Sequence, residues 1–268
     1  MPTQQIAVST STHKLGRLPR GHDKRIPMMH DLTVGIVQSV PRPAVDFTKG
    51  MPGNLGVMLN NTLGDCTCAA FYHALQVWSF NTGTPIDTEP DSDVELLYEK
   101  ACGYKPAQGG EGPGGNEQKV LTYILREGAP GGTNGTQVKK IDAFVEVAVT
   151  NLDNVKRTIA DCGVCYIGFN VPQYIMPPGK LPLSVWDVNP QADNTIVGGH
   201  AVVLAGYNTQ GARVISWGQY YTMTWAFFEK FVDEAYAIAD PEWITAKGTT
   251  PGGLSLAQLE AAMKALKS

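Results

Sequence analysis

Two residues carry the first chemical suggestion in this chain, Cys66 and His200. Cys66 lies in Asn60-Asn61-Thr62-Leu63-Gly64-Asp65-Cys66-Thr67-Cys68-Ala69-Ala70, which ends an irregular stretch and opens a helix. Phe71 to Trp78 then has apolar residues at helical spacing, with no Gly or Pro before Gly83. Asp65 is placed as an N-cap, so Cys66 is the first helical residue. A thiol there meets unpaired backbone N–H groups and the positive end of the helix dipole, which favour the nucleophilic thiolate. A buried structural cysteine at a helix start is the competing reading.

A thiolate nucleophile needs a base. His73 is seven residues further along the same helix, roughly 10.5 Å away at about 1.5 Å per residue, so it is read as structural. His200 follows Gly198-Gly199 and is read as the first residue of a strand, His200 to Tyr207. A base on a rigid strand facing a nucleophile on a helix tip is sound catalytic geometry. A strand-end core histidine is the alternative. His13, His22 and His30 match no metal-ligand spacing and are read as solvated. Cys162 and Cys165 lack a second cysteine pair for zinc and are read as core thiols. No metal and no cofactor is expected.

The elements that must position these residues change character along the chain. Residues 1–44 are polar, basic and punctuated by proline, and read as an arm over the body or a disordered tail, with a possible short strand at Val34 to Val37. Helices follow: one from Cys66, one capped by Ser92, and one from about Glu117 to Arg126 with Gly128 just past its end. Gly110 to Gly115 is a formal G-x-G-x-x-G, but no strand precedes it and Pro113 interrupts it, so dinucleotide binding is set aside. Later segments have strand periods: Phe144 to Val147, Val164 to Val171, His200 to Tyr207, and Ala212 to Trp217 across a hairpin. Between them Leu152 to Asp161 reads as a helix capped by Asn151. Residues 225–238 read as an amphipathic segment leading into a last strand, and Ser255 to Gln258 as a capping box for a terminal helix. The expected class is α+β with two lobes and a cleft. Its units are an arm (1–44), a main domain (45–245, helical to about 140 and β-rich from about 141), then a linker and helix (246–268).

Composition narrows the partners. With 268 residues and 43% hydrophobic content the chain can bury a sizeable core, and its net charge of −4 argues against nucleic acid as the main partner. No apolar run approaches a membrane span and no secretory h-region follows Met1. Five cysteines do not suggest a disulfide framework. The expectation is a protein acting in the cytoplasm or packaged in a particle, with reduced thiols.

Several motifs, in order, resemble the papain-like cysteine peptidases, of a divergent bacterial or phage type. Val45-Asp46-Phe47 resembles the family's mature start. Leu63-Gly64-Asp65-Cys66 resembles the calpain nucleophile motif. Gly112-Pro113-Gly114-Gly115-Asn116 resembles the substrate-binding glycine loop. Gly199-His200-Ala201-Val202 resembles the histidine strand, and Ser216-Trp217-Gly218 the following Asn-Ser-Trp-Gly. The resemblance spans about 45–240. It implies a two-lobed fold and peptide-bond hydrolysis by a Cys66–His200 dyad. It further implies Asn60, six residues before Cys66, as oxyanion donor, Gly114, Gly115 and Gly199 along an extended substrate, and Trp217 shielding His200. The departures are specific. Thr67 replaces the family's Trp, and Ile215 stands where an Asn would orient the histidine, leaving Ser216 to act only through a shifted register. Aligning on Cys68 instead would place Thr62 at the oxyanion position and lose the Gly-Asp-Cys match. Cys66 and Cys68 are about 200° apart around a helix, so only one can face a cleft. The expected partner is a peptide or protein substrate. A peptidoglycan amidase or endopeptidase, and a non-catalytic binding or structural protein in a multiprotein assembly, are the alternatives.

Overall fold

In a computed structural model, residues 13–38 and 40–267 are described; the first twelve residues of the expected arm lie outside them. In chain order the elements are α1 (Met29–Leu32), β1 (Val45–Asp46), α2 (Cys66–Thr82), α3 (Asp91–Cys102), α4 (Glu117–Arg126), β2 (Ala129–Gly131), β3 (Gln137–Lys139), β4 (Ala143–Glu146), α5 (Leu152–Cys162), β5 (Cys165–Pro172), β6 (Val185–Trp186), β7 (Ile196–Tyr207), β8 (Gly211–Ser216), β9 (Gln219–Thr224), α6 (Trp225–Phe231), β10 (Val232–Ala239), α7 (Pro241–Lys247) and α8 (Leu256–Lys267). The main sheet runs β4-β10-β5-β7-β8-β9-β6, with β1 also on β7, and its pairings are antiparallel except β6 with β9. The class is α+β, as the sequence indicates.

Every residue of α2 from Cys66 to Ser79 is buried. A helix apolar on all sides belongs in the middle of a structure, and α2 packs along β7 and against α3 and α7. Trp78 Nε1 donates to the Cys162 carbonyl at the end of α5 (2.6 Å), fixing its far end. The other helices begin as their sequences dictate. Asn116 accepts from the Lys119 N–H, Asn151 from Asn154, and Ser255 and Gln258 form a reciprocal capping box. At α2, as at α1 and α3, no side-chain cap hydrogen bond forms, although Asp65 holds the N-cap position.

Several local expectations need correcting. Val34 to Val37 is a turn rather than a strand, because its valines are exposed and no edge lies beside them. Pro90, not Ser92, precedes the second helix. β7 starts at Ile196, so His200 is an interior strand residue, paired with Phe169 of β5. β9, α7 and the β2–β3 ribbon carry no strong period and were not expected.

His73 is buried inside α2, its Nδ1 against Gln76 Oε1 (2.9 Å), and burial lowers its pKa to about 4. The unfolded chain therefore binds a proton near pH 6.5 that the folded chain refuses, so this term is lost as pH falls. Relative to a His73→Gln variant, the wild type should lose roughly 3 kcal/mol of stability between about pH 6.5 and pH 4. Urea titrations at the two pH values measure this, and an equal loss in both proteins would contradict it.

Candidate active site

The α2 N-terminus points its first residue at β7. The Cys66 thiol lies against the backbone N–H of Ala201, the residue after His200, and against that of Gly16. Cys68 faces the other way, thiol to thiol with Cys102 of α3. The structure thus brings Cys66, and not Cys68, to the histidine strand.

Strand register determines what meets His200. Val203 pairs with Ile215 and Leu204 with Val214, which sets Val202 opposite Ser216. Side chains alternate along a strand, so His200 shares the face of Val202 and Ser216, while Ile215 lies on the opposite face in the core. Ser216 Oγ and His200 Nε2 are hydrogen bonded at 2.7 Å. His200 Nδ1 has no hydrogen-bond partner. Trp217 lies flat on the imidazole, with centroids 4.2 Å apart and planes 15° apart, and Phe169 meets its edge. Trp217 accomplishes this with a left-handed backbone (φ 47°).

Asn60 does not fit the role of oxyanion donor. It is buried, and its Nδ2 donates to the Leu63 carbonyl (3.0 Å), so its amide braces the loop leading into α2. That loop turns through left-handed conformations at Met58 and Leu59, which aims the amide inward. Asp65 itself is pushed well above the ordinary carboxylate range by burial.

The cleft between Gly115 and Gly199 is filled by the chain's own N-terminal segment. Arg17 N–H donates to Gly199 O (3.1 Å), Leu18 N–H to Gly115 O (2.8 Å), and Gly115 N–H to Gly16 O (2.8 Å). The segment runs antiparallel to Gly199 and parallel to Gly115, completing a small three-stranded arrangement. Lys14 N–H donates to Asn60 O, its carbonyl accepts from Trp217 Nε1 (3.2 Å), and His13 packs edge-on against Trp217. His13 is therefore part of the cleft rather than solvated. Gly115 has no room for a side chain, since a Cβ would strike Thr67 and Cys102, and Gly114 packs on the Gly16 carbonyl at φ 78°. Gly114 N–H goes to Tyr98 OH (2.8 Å) and holds the loop, so of the two glycines Gly115 makes the main-chain bonds.

The covering segment inverts the expected electrostatics. Burial pushes the Cys66 thiol up to about 12, partly offset by the Ala201 and Gly16 N–H groups, and lowers His200 to about 3, with His13 and His73 adding to the effect. The expected low Cys66 pKa rests on the helix dipole and His200; desolvation outweighs both in this form. Thiol and imidazole are both neutral in this form, and no hydrogen bond joins them.

The residues missed from the sequence are Arg17, Glu117, Asp233 and Glu234. The Arg17 guanidinium enters a buried cavity where Nε donates to Glu234 Oε1 (2.8 Å) and Glu117 Oε2 (3.1 Å), and Nη2 reaches Asp233 and Glu234. These partners are 100 and 217 residues away in sequence, which is why no local pattern marks them.

No family model matches the chain, and no curated protein does. Solved structures do. Xylellain, a cysteine protease from Xylella fastidiosa, is 17% identical, with a TM-score of 0.66 over 88% of this chain and 99% of its own. A procathepsin B from Trypanosoma congolense is 12% identical, with a TM-score of 0.55 over 85% and 87% of the two chains. A digestive procathepsin L 3 from Tenebrio molitor is 12% identical, with a TM-score of 0.52 over 82% and 76%. The fold is that of the papain-like cysteine proteases. Among the described residues no helix is long and apolar enough to cross a membrane.

Proposed function

We propose that this chain is a cysteine peptidase whose cleft is closed by its own residues 13–18. One observation carries the reading: an extended peptide, held by main-chain bonds to Gly115 and Gly199, runs across a cysteine on a helix tip that itself lies against the strand carrying a histidine. When that segment leaves, water and substrate reach the pair, and the helix dipole acts on the thiol without the opposing burial.

With Nε2–H donating to Ser216 Oγ, Nδ1 holds the lone pair that takes the Cys66 proton. The thiolate attacks the substrate carbonyl carbon and its electron pair moves to oxygen. The Cys66 backbone N–H, at the start of α2 where helical N–H groups lack intrahelical partners, holds that oxyanion. As the C–N bond breaks, the Nδ1 proton passes to the leaving amine and a thioester remains. Water, deprotonated by His200, adds to the thioester and releases the acid and the Cys66 thiol. Ser216 holds the ring in place and Trp217 keeps bulk water from its face.

A fluorogenic peptide assay on the full chain tests this. Activity should appear when the N-terminal segment is displaced by Gly16→Ala, vanish with Cys66→Ala or His200→Ala added, and fall in kcat rather than KM with Ser216→Ala. A displaced but inert chain, across a broad peptide library, would instead support a binding protein on a peptidase fold.

A further inference from the structure

Three elements build the cavity that receives Arg17. β5 contributes Gly168, where a Cβ would fall on the guanidinium and on the Glu117 carboxyl. The start of α4 contributes Glu117. In β10 the register slips between Val232 and Glu234. Neighbouring strand residues ordinarily face opposite ways, and this bulge turns both Asp233 and Glu234 to one cavity. Each carboxylate has its own support: Tyr236 OH donates to Glu234 Oε2 (2.7 Å) and Asn170 Nδ2 to Asp233 Oδ2 (3.1 Å). Glu117 and Glu234 are fully buried, Asp233 stands at the rim, and Glu117 Oε1 has no hydrogen-bond partner.

Buried carboxyls of like sign are costly without a cation beside them. Burial and the Glu234 charge push Glu117 up. Burial also acts on Glu234, but Glu117, Arg17 and Tyr236 together hold it below its ordinary value.

We propose that this cavity is the specificity site of the cleft and that it selects an arginine side chain on the substrate residue seated between Gly115 and Gly199, next to the residue over Cys66. The proposal rests on the peptidase reading for the word substrate, and on the Arg17 contacts alone for the recognition. Three carboxyl groups meet the guanidinium along its Nε edge and at both Nη atoms. A planar fork satisfies them together. The ammonium of lysine is a point charge and reaches fewer of them at once, and citrulline keeps the shape but loses the charge.

The test uses the full chain carrying Gly16→Ala and Arg17→Ala, which vacate the cavity without altering its walls, with Cys66→Ala added so that binding is read without turnover. Labelled peptides copying Lys14 to Pro19 carry Arg, Lys, citrulline or norleucine at the fourth position, and anisotropy gives Kd. Arg should bind on the order of a hundredfold tighter than citrulline or norleucine, with Lys between. Glu234→Gln, and separately Glu117→Gln, should flatten that ranking. Equal binding of Arg and citrulline, or a ranking unmoved by both carboxamide variants, overturns the proposal. Circular dichroism of each variant confirms folding, and should Arg17→Ala prevent it, Gly16→Ala with Arg17 retained gives the same ranking. Restoring Cys66 and measuring kcat/KM separates the two readings: a chain that discriminates but never cleaves overturns the peptidase and leaves the recognition site standing.

Discussion

Gly16→Ala should make Cys66 the fastest-reacting cysteine of the protein. A Cβ at Gly16 would fall on the Gly64 carbonyl, and Gly64 is anchored by its N–H to Glu111 O (2.7 Å), so the backbone cannot yield cheaply. The segment must lift, and the thiol beneath it, held at about 12 by burial, returns toward or below the ordinary value of about 8.5. At pH 7.5 the thiolate fraction then rises about three-thousandfold, and the lower nucleophilicity of a weaker base returns part of that, leaving labelling about a hundredfold faster. Iodoacetamide labelling read by peptide mass spectrometry measures it. Cys162 and Cys165, buried in the core, serve as internal controls against general unfolding. Equal Cys66 rates in wild type and variant would mean that residues 13–18 do not protect the thiol.

Arg17→Met should open the same segment from its other end. Removing one partner of a buried ion pair costs about 3–5 kcal/mol, and here the uncompensated charges are relieved by letting water into the cavity as the segment departs. The Leu18 and Gly115 amides, which pair across the cleft, should then exchange with deuterium roughly 10²- to 10³-fold faster. Unchanged exchange at both would show that main-chain pairing alone holds the segment. Arg17 acts to lower the pKa of both Glu234 and Glu117, so its contact with them is strongest where they are ionised, and closure in the wild type weakens as pH falls.

What the sequence made legible follows from range. Cys66 at a helix start and His200 behind two glycines are local patterns, and local patterns determine where an element begins. Ser216 required one long-range fact, the β7–β8 register, and with it the choice between Ile215 and Ser216 follows from strand alternation. Asn60 was misassigned because its amide direction depends on two left-handed residues, Met58 and Leu59, that no side-chain pattern announces. The Cys66 pKa was expected low because the helix dipole and the histidine are visible in sequence, whereas its covering by Gly16 is not. The acidic cavity was invisible for the same reason. Its charges come from α4 and β10, and only a slipped register at Asp233 turns two adjacent acids to one place. The first-half helices and later strands were read within a few residues, since α4, α5 and β5 carry strong periods and clear caps.

Trp217 gives the closed cleft an optical signature. Its indole is sandwiched, with His200 against its face, His13 against its edge, and its ring N–H tied to the Lys14 carbonyl. Departure of residues 13–18 removes the last two contacts together and brings water to one side of the ring. Of the other indoles, Trp78, Trp186 and Trp243 are buried and hydrogen bonded to carbonyls elsewhere in the fold. Emission from this single ring shifts to longer wavelength as the cleft opens, so stopped-flow fluorescence of the unlabelled protein follows the opening in real time.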